Sequence, residues 1–275
     1  MNLGYVELKK NLILLVVCLL SSLTLFAENQ TEPAYKPGER LTYKAFYNWG
    51  LIWVYAADVD FEISQKLYST YSALCFESKA SSIPRYDWFF RVRDSFKSYA
   101  TADDFSPLFA ERKTSEGNLQ IYESYTFQHG TNKIYSTLQN SNKTPIKDTI
   151  SLKSGAYDVL SAVYNARNLD FDRYKLNDKI PVKIVLDGKI HSLFVRYLGK
   201  EVVKTRKNQS FKCHKFSSFM VAGTAFKGGE DVTVWVTDDQ NRMPVLVEAK
   251  VLIGSVKAYL DTFEGLKFPI KALLK

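Results

Sequence analysis

The residue types best suited to catalysis or metal binding are few and scattered in this sequence. Its three histidines are His129, His191 and His214, and none stands three or four residues from another. Cys213 directly precedes His214, but neighbouring residues of a strand point to opposite faces of a sheet. Neither paired zinc ligands nor the nucleophile turn of a serine hydrolase can be recognised. We therefore expect structural histidines, no metal site and no catalytic residues, although residue counting leaves a dispersed Ser-His-Asp triad open.

Asp238 and Asp239 are the most suggestive pair of carboxylates. Adjacent carboxylates can serve as acid and base or bind a cation. The residues that follow, from Gln240 to Pro244, are typical of a turn in which short polar side chains bond the local backbone. We predict a turn here, and accordingly neither an enzyme nor a cofactor site.

Two groups of aromatic residues form the candidate binding site. An aromatic rim with an adjacent basic residue would suit a lipid-like or other apolar ligand. The alternative is that these rings belong to the core, because large apolar clusters usually do. The predicted ligand-binding residues are Trp49, Trp53, Tyr55, Phe89, Phe90 and Arg91.

Alternation of apolar and polar residues predicts the elements that must position these side chains. The odd positions are mostly apolar from Leu41 to Tyr47 and again from Leu51 to Ile63. A period of two marks half-buried strands, and Asn48 and Gly50 between the runs suit a tight hairpin turn. The pattern predicts a hairpin with one strongly aromatic face, followed by further short strands along the chain.

One segment, about Tyr157 to Asn168, has helical periodicity. Ser154 is the expected cap, and Asp158 favours the first turn through the helix dipole. The apolar stripe consists of Val159, Ala162, Val163 and Ala166. Consecutive strands with one helix predict a mainly β fold, a large antiparallel sheet curled around a single main α-helix.

The N-terminus has the pattern of a secretory signal peptide. Lys9 and Lys10 precede an apolar run that ends at Ala27, and a polar stretch follows. We predict a signal peptide over residues 1–27 and one β-rich domain over residues 28–275. An uncleaved membrane anchor and acylation at Cys18 are the alternatives. No later segment is apolar enough to span a membrane, so we expect an exported, periplasmic protein or one at the periplasmic face of the outer membrane.

The charge distribution limits the possible binding partners, and the cysteine content bears on whether a disulfide forms. The formal net charge is +8, but lysine and arginine are spread along the chain. Nucleic-acid binders concentrate such charge on one helix or arm, so we expect no nucleic-acid partner. A basic surface could still attract anionic lipid head groups or sugars. Cys75 and Cys213 could form a disulfide in an oxidising compartment or remain buried thiols.

Five segments, in order along the chain, together resemble a known family. They are Gly38–Tyr43, Trp88–Asp94, Tyr157–Tyr164, Trp235–Val245 and Ile253–Val256. This set is similar to the bacterial exported proteins grouped as domain of unknown function 3108. The resemblance implies a curved antiparallel sheet, an incomplete β-barrel analogous to the half-barrels of periplasmic lipoprotein carriers. It implies no activity, since fold does not fix function.

Three functional hypotheses remain from the sequence. The first is a non-catalytic binding or carrier module for an apolar, lipid-like ligand. The second is an accessory envelope protein that binds a protein partner through an exposed sheet edge. The third is an undetected hydrolase. A cavity of ~300–1,000 Å³ lined by aromatic residues would favour the first hypothesis.

Overall fold

The computed structural model describes residues 32–49, 52–88, 91–141, 143–220, 229–250 and 254–274. Contacts group Pro33–Lys275 into one compact unit. The segment predicted as a signal peptide lies outside the described residues. Among the residues that are described, no helix has both the length and the hydropathy to cross a lipid bilayer.

Strands make up most of the described chain, as its alternating side chains predict. In order they are β1 (Arg40–Trp49), β2 (Ile52–Tyr68), β3 (Tyr71–Ser82), β4 (Arg93–Thr101), β5 (Pro107–Glu116), β6 (Leu119–Gln128), β7 (Lys133–Asn140), β8 (Ile146–Ser151), β9 (Ala156–Tyr157), β10 (Lys179–Leu186), β11 (Lys189–Lys204), β12 (Ser210–Met220), β13 (Gly229–Thr237), β14 (Pro244–Lys250), β15 (Ser255–Glu264) and β16 (Leu273–Leu274). One α-helix, α1 (Val159–Ala166), separates β9 from β10. Short 3-10 helices cover Pro84–Tyr86, His129–Thr131 and Phe171–Arg173.

All sixteen strands belong to one sheet. Its order is β8-β7-β6-β5-β4-β3-β2-β1-β15-β14-β13-β12-β11-β10-β9, with β16 paired to β12. The pairing of β9 with β10 is parallel, whereas the other named pairs are antiparallel. Most neighbours are therefore consecutive in the chain, which is the arrangement that local hairpins produce.

The chain connection between the two edge strands requires the sheet to curve. Residues 152–155 link β8 directly to β9, and such a link spans at most ~18 Å. A flat sheet with this strand order would separate its edges by roughly 65 Å, since strands lie ~4.8 Å apart. The sheet must therefore roll up, although β8 and β9 do not pair with each other in the described part of the chain. The predicted fold class, a large curved antiparallel sheet with one main helix, is confirmed.

The two ends of the rolled sheet differ. At one end β1 begins, and β13 and β15 finish. We call this end the helix end, because α1 leads towards it. The opposite end, where β1, β5, β10 and β14 finish, is the far end. Because neighbouring strands run in opposite directions, every second connection lies at the same end.

The helix is shorter than predicted, and its buried face is different. Asp158 is the N-cap, and its carboxylate accepts hydrogen bonds from the backbone N–H groups of Leu160 (3.0 Å) and Ser161 (3.1 Å). The prediction of Ser154 as the cap is therefore wrong. Val163 is 44% exposed, so its place in the predicted buried stripe is also wrong. The buried residues are Leu160, Ser161, Ala162 and Tyr164, because the capped start of the helix fixes which face meets the sheet.

The concave side of the sheet wraps around this helix. Tyr164 stacks on Phe76 of β3 with ring centroids 4.2 Å apart, and Tyr35 meets Tyr164 edge-on at 5.2 Å. Ile63 of β2 and other residues of β3 and β4 complete the same buried cluster. The helix therefore fills the interior beside β2, β3 and β4, as the predicted curled sheet requires.

A buried ion pair joins three segments at the helix end. Arg167, just after α1, donates to both carboxylate oxygens of Glu39 at 2.5 and 2.9 Å, and the two side chains are 3% and 0% exposed. The Arg167 guanidinium also donates to the backbone carbonyl of Asn241 at 2.9 Å. Glu39 and Asn241 belong to two of the segments that carry the family resemblance, and Arg167 follows a third. Part of that signature therefore has a structural role.

Candidate functional site

The inner face of the sheet changes from buried to half-buried between the helix end and the far end. Near the helix end, Val236, Val245 and Leu260 on three successive strands are buried. Towards the far end, the next residues on the same face are only half-buried. The last of these, here called the far-end row, lie side by side on seven neighbouring strands: Val195, Ser218, Val232, Ala249, Val256, Tyr47 and Val54.

The far-end row is an apolar band, whereas the other face of β13, β14 and β15 carries polar residues beside it. Seven strands spaced at ~4.8 Å make a band about 29 Å across. Thr233 alternates with Val232 on β13, and Lys257 alternates with Val256 on β15, which places both polar residues on the outer face. A half-buried apolar band on a concave surface is where an apolar ligand would be held.

The space beside the helix N-terminus, by contrast, is already filled. A cavity between α1 and β4, β5 and β6 has a volume of ≈ 20 Å³, room for about one water molecule. Arg112, Glu123 and Asp158 are among its lining residues, and the last two are buried. This cavity is too small and too charged for an acyl chain, and it does not meet the ~300–1,000 Å³ expected of an enclosed apolar site. The candidate ligand site is therefore an open surface, the far-end row.

A bulge in the first hairpin puts two of the predicted aromatic residues, Trp53 and Tyr55, on the outer face. Ala45 pairs with Ala57 but Phe46 pairs with Tyr55, so Ala56 is an extra residue on β2. One inserted residue reverses the alternation, so the prediction of a single aromatic face along the whole of β2 is wrong. Tyr55 meets Phe46 at 5.6 Å between ring centroids, opposite to the far-end row.

The other predicted site residues are placed as follows. Trp53 lies on the outer face, with the Lys257 ammonium 5.0 Å from the centre of its ring. Trp49 is the last residue of β1, and Phe89 and Phe90 lie outside the described residues. Arg91 is exposed near the far end, where its backbone carbonyl accepts from Gly117 (2.8 Å). The structure does not bring Trp53 and Tyr55 to the far-end row, and the ligand-binding role of all six residues stays a prediction.

Asp94 on β4 is a partly buried carboxyl near the far end. Burial, together with the charge of the nearby Glu116, raises the pKa of Asp94 to about 6. Its carboxylate oxygen accepts from the backbone N–H of Ser115 at 3.0 Å, which only partly offsets the cost of burying the charge. The native state therefore holds a proton that the unfolded chain releases at lower pH.

Asp94→Asn should therefore stabilise the protein in a pH-dependent way. Stability of the parent falls as pH rises from about 4 to above 6, because ionising Asp94 costs more in the folded state. The amide keeps an acceptor for Ser115 and carries no charge, so we expect a gain of about 1 kcal/mol at pH 7.5 and no gain at pH 4. Urea denaturation at both pH values measures this, with the exposed Asp103→Asn as control. An equal effect of Asp94→Asn at the two pH values would contradict the assignment.

His214 belongs to a polar cluster at the helix end. Its Nε2 lies 2.8 Å from Oδ1 of Asp238, and its Nδ1 lies 3.2 Å from the hydroxyl of Tyr197. The Lys200 ammonium then donates to Asp238 at 3.0 Å and to Asp172 at 3.1 Å. Burial lowers the pKa of His214 although Asp238 acts in the opposite direction, so the imidazole is neutral at pH 7.

Sequence reasoning missed this cluster because its members are distant in the chain. The turn predicted at Asp238 and Asp239 exists, but the two carboxylates have different roles. Asp239 accepts from the backbone N–H groups of Asn241 (3.1 Å) and Ala272 (3.1 Å), as a turn residue does. Asp238 points instead to His214. No local spacing could indicate that, because strand pairing alone brings these residues together.

Cys75 and Cys213 are free and buried thiols. Of the two alternatives for Cys75 and Cys213, the structure shows the unpaired one. Burial raises the pKa of the Cys213 thiol to about 12 and raises that of Cys75 as well. Neither group is therefore a reactive nucleophile.

Comparison with solved structures defines the class of fold. The crystal structure of a "beta-barrel-like protein of domain of unknown function DUF1849" from Brucella abortus is similar, with a TM-score of 0.53 and 8% sequence identity. The match covers 83% of this chain and 98% of that one, and at such low identity it shows the fold alone. No curated protein is significantly similar to this chain.

The sequence itself defines the family. Residues 42–261 match the family described as "protein of unknown function (DUF3108)", and the chain belongs to that family. The resemblance inferred from five short segments is therefore confirmed.

Proposed function

We propose that this protein is a non-catalytic binding module of the bacterial cell envelope that holds an apolar, lipid-like ligand. The observation that carries this proposal is the far-end row, an apolar band that the sheet leaves half-buried on its concave face. The row contains valine and alanine at five of its seven positions and no acidic or basic side chain. It can therefore bury an acyl chain but offers no general acid or base.

The energetics favour a chain-like ligand. Each methylene group transferred from water to an apolar surface contributes about 0.8 kcal/mol. A ligand lying across several strands would thus gain affinity from length rather than from one polar contact. The signal-like residues 1–27 support export to the envelope, where acyl chains are abundant, and location in the periplasm is part of the proposal.

Val232→Asp tests the site, with Thr233→Asp as a matched control on the opposite face of the same strand. Val232 is half-buried, so the variant should fold. Its carboxylate would have to lose water in order to lie against the ligand's acyl chain, which costs binding free energy. A fluorescent fatty acid should bind the parent and Thr233→Asp alike, and bind Val232→Asp at least about tenfold more weakly. Thermal shift gives a second readout, since ligand at 100 times its Kd stabilises by ~2.7 kcal/mol.

Contact with a protein partner is the second candidate function, and β8 is the observation that favours it. This edge strand is mostly exposed, and Ile146 at its start is 65% exposed. Open edges pair readily with another chain. If the parent binds no fatty acid, the carrier proposal fails. Binding of a protein partner at the edge of β8 then becomes the better proposal for the function.

A further inference from the structure

We propose that His214, Asp238 and Asp172 form a binding site for a divalent ion of the Zn²⁺ class, and that Lys200 occupies the position of the ion when none is bound. This site is independent of the far-end row. It lies at the helix end, so binding of a fatty acid and binding of a metal can succeed or fail separately.

The geometry of the donor atoms suits one ion. One nitrogen of His214 and one oxygen of each aspartate all lie within 4.8 Å of one another. Zinc sits ~2.0–2.2 Å from such ligands, which places tetrahedral donors ~3.3–3.6 Å apart. The largest separation here must therefore close by about 1 Å, which the exposed Asp172 side chain can supply by rotation. Three protein ligands would leave a fourth position for water. Asp172 is 76% exposed, which keeps that position open to solvent.

Lys200 shows that the site already holds a cation. Its ammonium lies 3.0 Å from Asp238 and 3.1 Å from Asp172, between two carboxylates that would otherwise repel each other. The side chain is 49% exposed, so it can swing into solvent without breaking a packed core. Two carboxylates and a neutral imidazole balance a charge of 2+ once the ammonium has left.

Tyr197 supplies the partner that a metal-bound histidine usually has. When Nε2 of His214 donates to Asp238, Nδ1 accepts from the Tyr197 hydroxyl. When Nε2 binds a metal, the proton moves to Nδ1 and is donated to the same tyrosine oxygen. Such a second contact fixes the ring and its tautomer. The buried Tyr197 hydroxyl, 3.2 Å away, can take either role.

The ligand set predicts which ions bind. Imidazole suits Zn²⁺, Cu²⁺, Fe²⁺ and Ni²⁺, and Zn²⁺ also binds aspartate oxygen. Calcium prefers six to eight oxygen ligands, which this cluster does not offer. Titration with ZnCl₂ should therefore give heat for one site, and CaCl₂ should give none at the same concentration.

Isothermal titration calorimetry of the full-length protein, purified without a polyhistidine tag, tests the proposal. Lys200→Met removes the competing cation and should bind Zn²⁺ at least about tenfold more tightly than the parent. Asp172→Asn, at an exposed position that folding tolerates, should bind at least about tenfold more weakly. The exposed Asp103→Asn should bind as the parent does. Lys200→Met with no gain in affinity, or Asp172→Asn with no loss, would overturn the site.

Discussion

Arg167→Met is expected to lower the free energy of unfolding by about 3–5 kcal/mol, because it leaves the Glu39 carboxylate buried without its partner. Glu39 is fully buried, and both of its oxygens accept from Arg167. The same change also removes the guanidinium that donates to the carbonyl of Asn241. Three segments of the helix end therefore lose their common contact. Equilibrium denaturation in urea, with a thermal melt as a second readout, measures the loss.

Arg40→Met is the matched control. Arg40 is adjacent to Glu39, but its pair with Asp60 is exposed and 3.4 Å long. Exposed pairs contribute about 0–1 kcal/mol, so this variant should unfold close to the parent. The double variant Glu39→Leu with Arg167→Met should recover much of the stability, since an apolar pair avoids the buried charge. Equal midpoints for Arg167→Met and Arg40→Met would show that the buried pair does not hold the helix end together.

Phe76→Ala should cost about 3–5 kcal/mol, the range for removing a large ring from a closed core. Phe76 is completely buried and stacks on Tyr164 of the helix, while Tyr35 meets both rings. The cavity left behind would separate α1 from β3. Urea denaturation measures the loss, and the slope of the transition shows whether unfolding stays cooperative.

Val163→Asp provides the comparison on the same helix. Sequence periodicity assigns Val163 to the buried stripe and therefore predicts a loss of several kcal/mol. The structure places it on the exposed side, where substitutions change stability by about 0.5 kcal/mol. A large loss for Val163→Asp together with a small loss for Phe76→Ala would mean that the helix packs through its other face.

Much of the fold could be predicted from the sequence, because its causes are local. A period of two and short turns specify antiparallel hairpins, and consecutive hairpins specify a sheet with neighbours in chain order. The position of the helix follows from its own periodicity. The five family segments were recognisable for the same reason, since each is a short run of adjacent residues.

The candidate sites depended on features that local patterns do not record. A single extra residue, Ala56, moves Trp53 and Tyr55 to the outer face, and alternation cannot reveal a bulge in advance. The cap at Asp158 determines which helical residues are buried, although Ser154 is of an equally suitable type.

The sequence by itself determined a mainly β fold with one helix and membership of a family. The tertiary structure alone decided which side of the sheet each apolar residue faces and which distant polar residues meet. The far-end row exists because seven strands stand in register. The cluster around His214 exists because strand pairing brings Tyr197 and Asp238 to that side chain. The physical reason is that secondary structure depends on neighbours in the chain, whereas a site depends on neighbours in space.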